Sequence, residues 1–178
     1  MKEVAPLRYG VIFKKAFREK DIFTAFVRDV LGIEVEIEEV LMEKSFMPSI
    51  GNVAVEFDLY AEDKKNRLII EVQQQRKPDH YDRFFHGLCV GLLEQVKNNY
   101  NYRPKLAVFS IVLLTSGDRH QKDVSIINCD PHDLSGKPLG EIPHKVIYLC
   151  PKYLNEQTPE PLREWMRAIQ DSDDEQVD

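Results

Sequence analysis

Cysteine is scarce in this chain, with three in 178 residues, at Cys89, Cys129 and Cys150, each inside an apolar run. An odd, widely spaced set argues against a disulfide framework, and no spacing matches a zinc site. Reduced, buried thiols are expected, because free cysteine behaves as a small hydrophobe. Long apolar runs are missing too. Nothing approaches the roughly 20 residues that span a bilayer, and no apolar signal segment follows Met1-Lys2-Glu3-Val4-Ala5-Pro6. A cytoplasmic protein with no membrane partner is expected. Neither a G-x-x-x-x-G-K phosphate loop nor a G-x-S-x-G nucleophile elbow is present. Internal repeats are absent as well.

A basic excess is also lacking, since the formal net charge is −6. Its distribution matters more than its sum. The last eight residues, Asp171 to Asp178, carry five acids and no base. They read as an acidic disordered tail (171–178) beyond a single domain spanning 1–170. The body is then near neutral, which neither favours nor excludes a polyanionic partner.

The rest has ordinary globular content, 43% apolar and 30% charged. Phe13 and Phe17, then Ile22, Phe23, Phe26, Val27, Val30 and Leu31, recur at helical spacing, with Asp21 as a cap and Gly32 as a stop. Ile33, Val35 and Ile37 alternate with Glu34, Glu36 and Glu38, which predicts a strand. Val53, Val55, Phe57 and Leu59 should point one way on the next strand, and Ala54, Glu56, Asp58 and Tyr60 the other. After the turn Asp63-Lys64-Lys65-Asn66, the strand Leu68–Gln73 should set Ile69, Glu71 and Gln73 on one face. Pro78-Asp79 marks a helix start, and Tyr81, Phe84, Phe85, Leu88, Cys89, Leu92, Leu93 and Val96 give its apolar stripe. Leu106 to Leu114 reads as a strand covered on both faces. Ser125–Cys129 and Lys145–Cys150 read as strands, and Pro159 opens a helix with Leu162, Trp165, Met166 and Ile169 on one side. The order predicts a layered α/β domain.

A turn centred on Lys64-Lys65 would set Asp58 opposite Glu71 and Glu56 opposite Gln73. Directly opposed like charges on a sheet face are destabilising, and a bound divalent cation compensates them. Mg²⁺ takes oxygen ligands, commonly one or two carboxylates with water and substrate phosphate. On spacing alone, acids at alternate strand positions read first as a solvated face. Glu71, however, sits within Leu68-Ile69-Ile70-Glu71-Val72, where an acid needs a partner.

Asp58 followed by Glu71-Val72-Gln73 resembles the D-x(n)-E-x-K signature of PD-(D/E)XK nucleases, with glutamine in the lysine position. Phe13-Lys14-Lys15-Ala16-Phe17 is similar to the F-K-x-x-F of the transposase-like, recombination-promoting branch, and the order of elements over residues 7–170 fits it. The resemblance implies a restriction-endonuclease-like core, with a mixed central sheet flanked by helices. It also implies a Mg²⁺- or Mn²⁺-dependent endonuclease acting on DNA. Asp58, Glu71 and the Val72 carbonyl would bind metal, with Gln73 in the lysine position. Relatives of this kind often carry an acid where this chain has Gly10; Glu56 is a candidate substitute. Such enzymes often cut both strands as homodimers.

Lys14, Lys15, Arg18, Arg76, Lys77 and Arg83 are candidates for phosphate contact, although each taken singly reads first as an ordinary surface charge. Gln74 and Gln75 either touch DNA or close the strand. His80 is a candidate proton shuttle or part of a helix first turn, and Tyr81 fits the core. Asp118, His120 and Asp123 resemble a loop better than a metal site. The rival to an active nuclease is an inactive nuclease fold kept as a DNA-binding or protein-interaction module.

Overall fold

The computed structural model describes residues 6–47, 54–74, 77–78, 80–96 and 100–170. Val53, Gln75, Arg76, Asp79 and the acidic tail therefore lie outside the described residues. The elements run α1 (Gly10–Phe17), α2 (Lys20–Leu31), β1 (Leu41–Phe46), β2 (Val55–Glu62), β3 (Asn66–Gln73), α3 (His80–Leu93), β4 (Ala107–Leu114), β5 (Val124–Asn128), β6 (Lys145–Leu149) and α4 (Leu162–Gln170). The strands form one six-stranded mixed sheet in the order β1-β2-β3-β4-β6-β5. β1, β2 and β3 are antiparallel, β3, β4 and β6 are parallel, and β5 returns antiparallel along the edge.

The chain is thus an α/β domain with helices on both faces of the sheet, as the order of patterns predicts. On one face α1, α2 and α4 pack over Leu59, Leu68, Ile70, Ile111, Leu113 and Leu149. Phe13 and Phe17, one turn apart, stack with centroids 3.8 Å apart. Full burial of such a side chain contributes about 1.5–3 kcal/mol. Trp165 of α4 donates from Nε1 to Asp29 Oδ2 of α2 at 2.8 Å, which fixes one helix against the other. On the opposite face α3 lies over Phe57, Ile69, Val112, Val146 and Tyr148. Among the described residues, no helix is long and apolar enough to cross a membrane.

Several local expectations need correction. The N-cap position of α2 is Glu19, two residues before Asp21, although Gly32 ends the helix in the left-handed region at φ 67°. Residues 33–38 form no strand, yet Val35 and Ile37 are buried between exposed glutamates. The alternation there records burial of an extended segment, not a ladder. In α3 the buried residues are His80, Phe84, Gly87, Leu88, Val90 and Gly91, whereas Phe85 and Leu93 are exposed. Glycines face the sheet because the helix sits close: a Cβ on Gly87 would lie 3.3 Å from Phe57. A pattern that counts only apolar side chains rotates the stripe away from them.

The alternation of β2 also slips. Leu59 lies on the α1 face, but Phe57 packs with Tyr60 on the α3 face, where strict alternation would put Phe57 with Leu59. β1 pairs with β2 through Met42↔Leu59 and Lys44↔Phe57, and the pair between them, Glu43 with Asp58, is missing. Glu43 takes φ 56°, a conformation few non-glycine residues adopt. Both strands therefore kink at one level, and Asp58 is the residue at that kink.

Candidate metal and nuclease site

β3 ends in Glu71-Val72-Gln73 and β2 passes beside it. The β2–β3 register follows the expected turn, with Tyr60↔Ile69 and Leu59↔Ile70. Paired residues stop at Leu59 and Ile70, so the strands part at the level of Asp58 and Glu71. Into this fork Asp58 turns its carboxylate, and Oδ2 accepts the Val72 backbone N–H at 2.9 Å. The side chain thereby occupies a donor that an unbroken ladder would have used.

Glu71 is buried, at 8% exposure. Its carboxyl lies within hydrogen-bonding reach of both the backbone N–H and the side chain of Asp58. Burial first, and the charge of Asp58 second, push Glu71 well above the usual carboxylate range, and Arg83 offsets part of this. The partners that favour negative charge gather instead on Asp58. Lys14, projecting from α1, places Nζ 3.5 Å from Asp58 Oδ1 and donates to Glu43 Oε1 at 3.0 Å. Burial works to lower Lys14, but hydrogen bonding to Glu43 and the charge of Asp58 outweigh it and hold the ammonium above its ordinary value.

Gln73 accepts on Oε1 from Arg83 Nη1 at 3.3 Å. Its backbone carbonyl accepts from Thr115 N–H at 3.2 Å, which ties the end of β3 to β4. Gln74 donates to the Arg8 carbonyl at 3.3 Å. A Cβ on Gly10 would stand 3.9 Å from the Gln74 side chain, so α1 begins beside this strand end. A cleft of about 390 Å³ opens on the α3 face, lined among others by Glu56, Phe57, Glu71, Arg83 and His86.

The structure thus brings Asp58, Glu71, Val72 and Gln73 together and adds Lys14 and Arg83. Glu56 lines the same cleft but accepts from Ser45 Oγ at 3.3 Å. Among the described residues, no group of three or more His, Cys, Asp and Glu could hold a metal, so Glu56 does not complete a three-acid cluster. Lys15, Arg18 and Lys77 are exposed, and among the described residues no ion pair ties them to the two acids. His80 is buried and turned inward. Its Nδ1 donates to the Lys77 carbonyl at 2.7 Å, and Nε2 stands 3.2 Å from Asp118 Oδ1, close but not aligned as a hydrogen bond. Both ring nitrogens face protein, which is the role of a helix first turn, not of a shuttle. Asp118 accepts from Tyr81 Oη and His120 N–H at 3.0 Å each, and Asp123 accepts from Thr158 Oγ1 at 2.6 Å. These acids brace loops.

Two features were invisible to sequence reasoning. The contact of Lys14 with Asp58 joins residues from distant elements, and F-K-x-x-F alone does not say where Lys14 points. The bond from Arg83 to Gln73 joins the end of β3 to α3, a pairing that helix and strand periods do not give. As a donor set, two carboxyls and a backbone carbonyl are hard oxygens of the kind Mg²⁺ accepts, with water completing the shell. No family model, curated protein or solved structure matches this chain.

Proposed function

We propose that this chain is a Mg²⁺- or Mn²⁺-dependent DNA endonuclease that hydrolyses phosphodiester bonds at the Asp58–Glu71 pair. The observation carrying the reading is the meeting of two carboxyls where β2 and β3 part, with one of them buried and pushed toward its neutral form. Folding alone gains nothing from such a pair, because a buried acid beside a like charge is destabilising. A divalent cation turns the same pair into a set of ligands. When bound, it activates water and stabilises the negative charge that develops on the phosphate.

The chain's own residues supply the rest. Val72 N–H orients the Asp58 carboxylate, and Glu71 with the Val72 carbonyl completes the protein ligands. Lys14 sets a positive charge beside Asp58, on the side from which α1 approaches. Gln73 holds water or the scissile phosphate through hydrogen bonds, without the charge of an ammonium. Exposed Lys15, Arg18 and Lys77 give backbone affinity without sequence information. Hydrolysis, not strand joining, is the proposed chemistry, and a link to recombination or mobile elements rests on the likeness of the two motifs.

Nicking of supercoiled plasmid tests the reading. Wild type should nick in Mg²⁺ or Mn²⁺ and not in chelator, and Asp58→Ala and Glu71→Ala should both lose the activity. A folded wild type that neither nicks DNA nor binds Mg²⁺ in calorimetry would replace this reading with that of an inactive nuclease fold used as a binding module.

A further inference from the structure

We infer that Arg83 is a positioning residue of this site: it holds the Gln73 amide with its oxygen toward α3, so that the amide meets the DNA phosphate as an N–H donor. The inference rests on the endonuclease reading above.

A glutamine side chain ends in an acceptor and a donor of nearly equal size, which exchange places by a half-turn of the amide. A lysine in the same position has no such ambiguity, since an ammonium only donates. Next to a phosphate oxygen the two amide orientations have opposite effects. The N–H end stabilises the anion, and the oxygen end repels it. A site built on glutamine therefore needs a neighbour that decides between them.

Arg83 has the chemistry for that decision. A guanidinium carries five N–H donors and no acceptor, so only the oxygen end of an amide can face it favourably. Its Nη1 lies 3.3 Å from Gln73 Oε1. The reversed amide would set N–H groups against N–H groups. Gln73 closes β3 and Arg83 stands in the first turn of α3, so the contact joins the end of the strand to the start of the helix. The guanidinium is itself braced, with Cζ 5.5 Å from the centroid of the Phe84 ring. Arg83 and Glu71 line the same cleft. Arg83 is itself exposed, and the role inferred for it is to orient Gln73.

The test compares Arg83→Ala in two backgrounds, wild type and Gln73→Lys, with plasmid nicking as one readout. In wild type, Arg83→Ala should lower kcat by about 10–100-fold, the usual range for residues that orient a site from behind, with KM nearly constant. Beside the Gln73→Lys ammonium, which needs no orienting, the loss should shrink to less than about threefold, and Arg83→Lys should rescue part of the wild-type loss. A second readout needs no activity: the side-chain ¹⁵N–¹H₂ signals of Gln73, assigned by their loss in Gln73→Lys, should shift in Arg83→Ala. Equal losses in both backgrounds overturn the inference. So does a rise in KM with a salt slope shallower by about one, the mark of a lost phosphate contact, or a Gln73 signal that does not move. If wild type never cleaves DNA, the endonuclease reading falls and the catalytic half of this inference falls with it; the amide signal still decides the orientation half.

Discussion

In metal-free buffer, Glu71→Gln should stabilise the protein at pH 8 and lose that advantage at pH 4. Burial and the neighbouring Asp58 raise Glu71 well above its ordinary range. The native state therefore holds the Glu71 proton more tightly than the unfolded chain, whose glutamate titrates near about 4.3. By linkage, the contribution of this group to stability is fully present below that value and is lost as pH rises through the folded one. At pH 8 the wild type either keeps a proton that solvent would take or carries a second negative charge beside Asp58. Two unit charges about 4 Å apart repel by about 1 kcal/mol where water screens them and about 4 kcal/mol at an effective dielectric of 20. The introduced amide removes that repulsion and offers an N–H donor to Asp58. For a domain of this size each kcal/mol moves Tm by about 2–4 °C, so thermal unfolding in EDTA should show a rise of at least about 2 °C at pH 8. At pH 4 the difference should vanish. Added Mg²⁺ should reverse the order: at 100 times Kd it stabilises the wild type by about 2.7 kcal/mol, and the variant should gain much less. A Tm for Glu71→Gln that falls at pH 8, or rises equally at both pH values, would refute the reasoning.

Two further outcomes follow from the packing of α3. Gly87→Val should cost about 1–3 kcal/mol by overpacking, because the first added carbon already meets Phe57 at 3.3 Å; urea unfolding should show a lower midpoint with an unchanged slope. Asp118 is held below the usual carboxylate range: burial works to raise it, but the His120 and Arg119 backbone N–H groups, Tyr81 and His80 outweigh burial. Its contribution to stability is therefore present above about pH 3.9, the unfolded aspartate value, and is lost as pH falls through the folded value. Asp118→Asn should cost about 1–3 kcal/mol at pH 7 and should flatten the loss of stability between pH 5 and pH 2, measured by denaturant titration at each pH.

Much of this was legible in the sequence where one period held. The continuous apolar run ending at Leu114 became β4, buried on both faces, and the Lys64-Lys65 turn fixed the β2–β3 register. With that register, the convergence of Asp58 and Glu71 followed from counting. Legibility failed where local geometry broke the period. Glu43 at positive φ shifts the alternation of β2 without adding a residue, and no propensity marks a glutamate for that conformation. Gly87 and Gly91 carry the close contact of α3, yet a hydrophobic pattern scores glycine as nothing. Lys14 and Asp58 meet only because α1 and the kink lie on the same side of the sheet, which is tertiary information.

The broken period and the candidate site are one feature. An uninterrupted ladder from Phe46 to Gln73 would have spent the Val72 N–H on a neighbouring strand and left Asp58 in strict alternation. The kink at Glu43 and Asp58 instead frees an N–H for the Asp58 carboxylate. It also brings that carboxylate within reach of Glu71 and sets both Glu43 and Asp58 before Lys14. Each step carries a cost: a strained φ, a missing pair in the ladder, a buried acid beside a like charge. Local strain of this kind persists only where the surroundings over-determine it, and the two tightly packed cores above and below the sheet do so here. It follows that the kink and the acid pair should be separable from the fold. Glu43→Gly relieves the positive φ and removes one partner of Lys14, so it should preserve or raise Tm while changing the setting of Asp58. If it instead unfolds the protein, the kink belongs to the scaffold, and strain at the site is not what the two cores are holding in place.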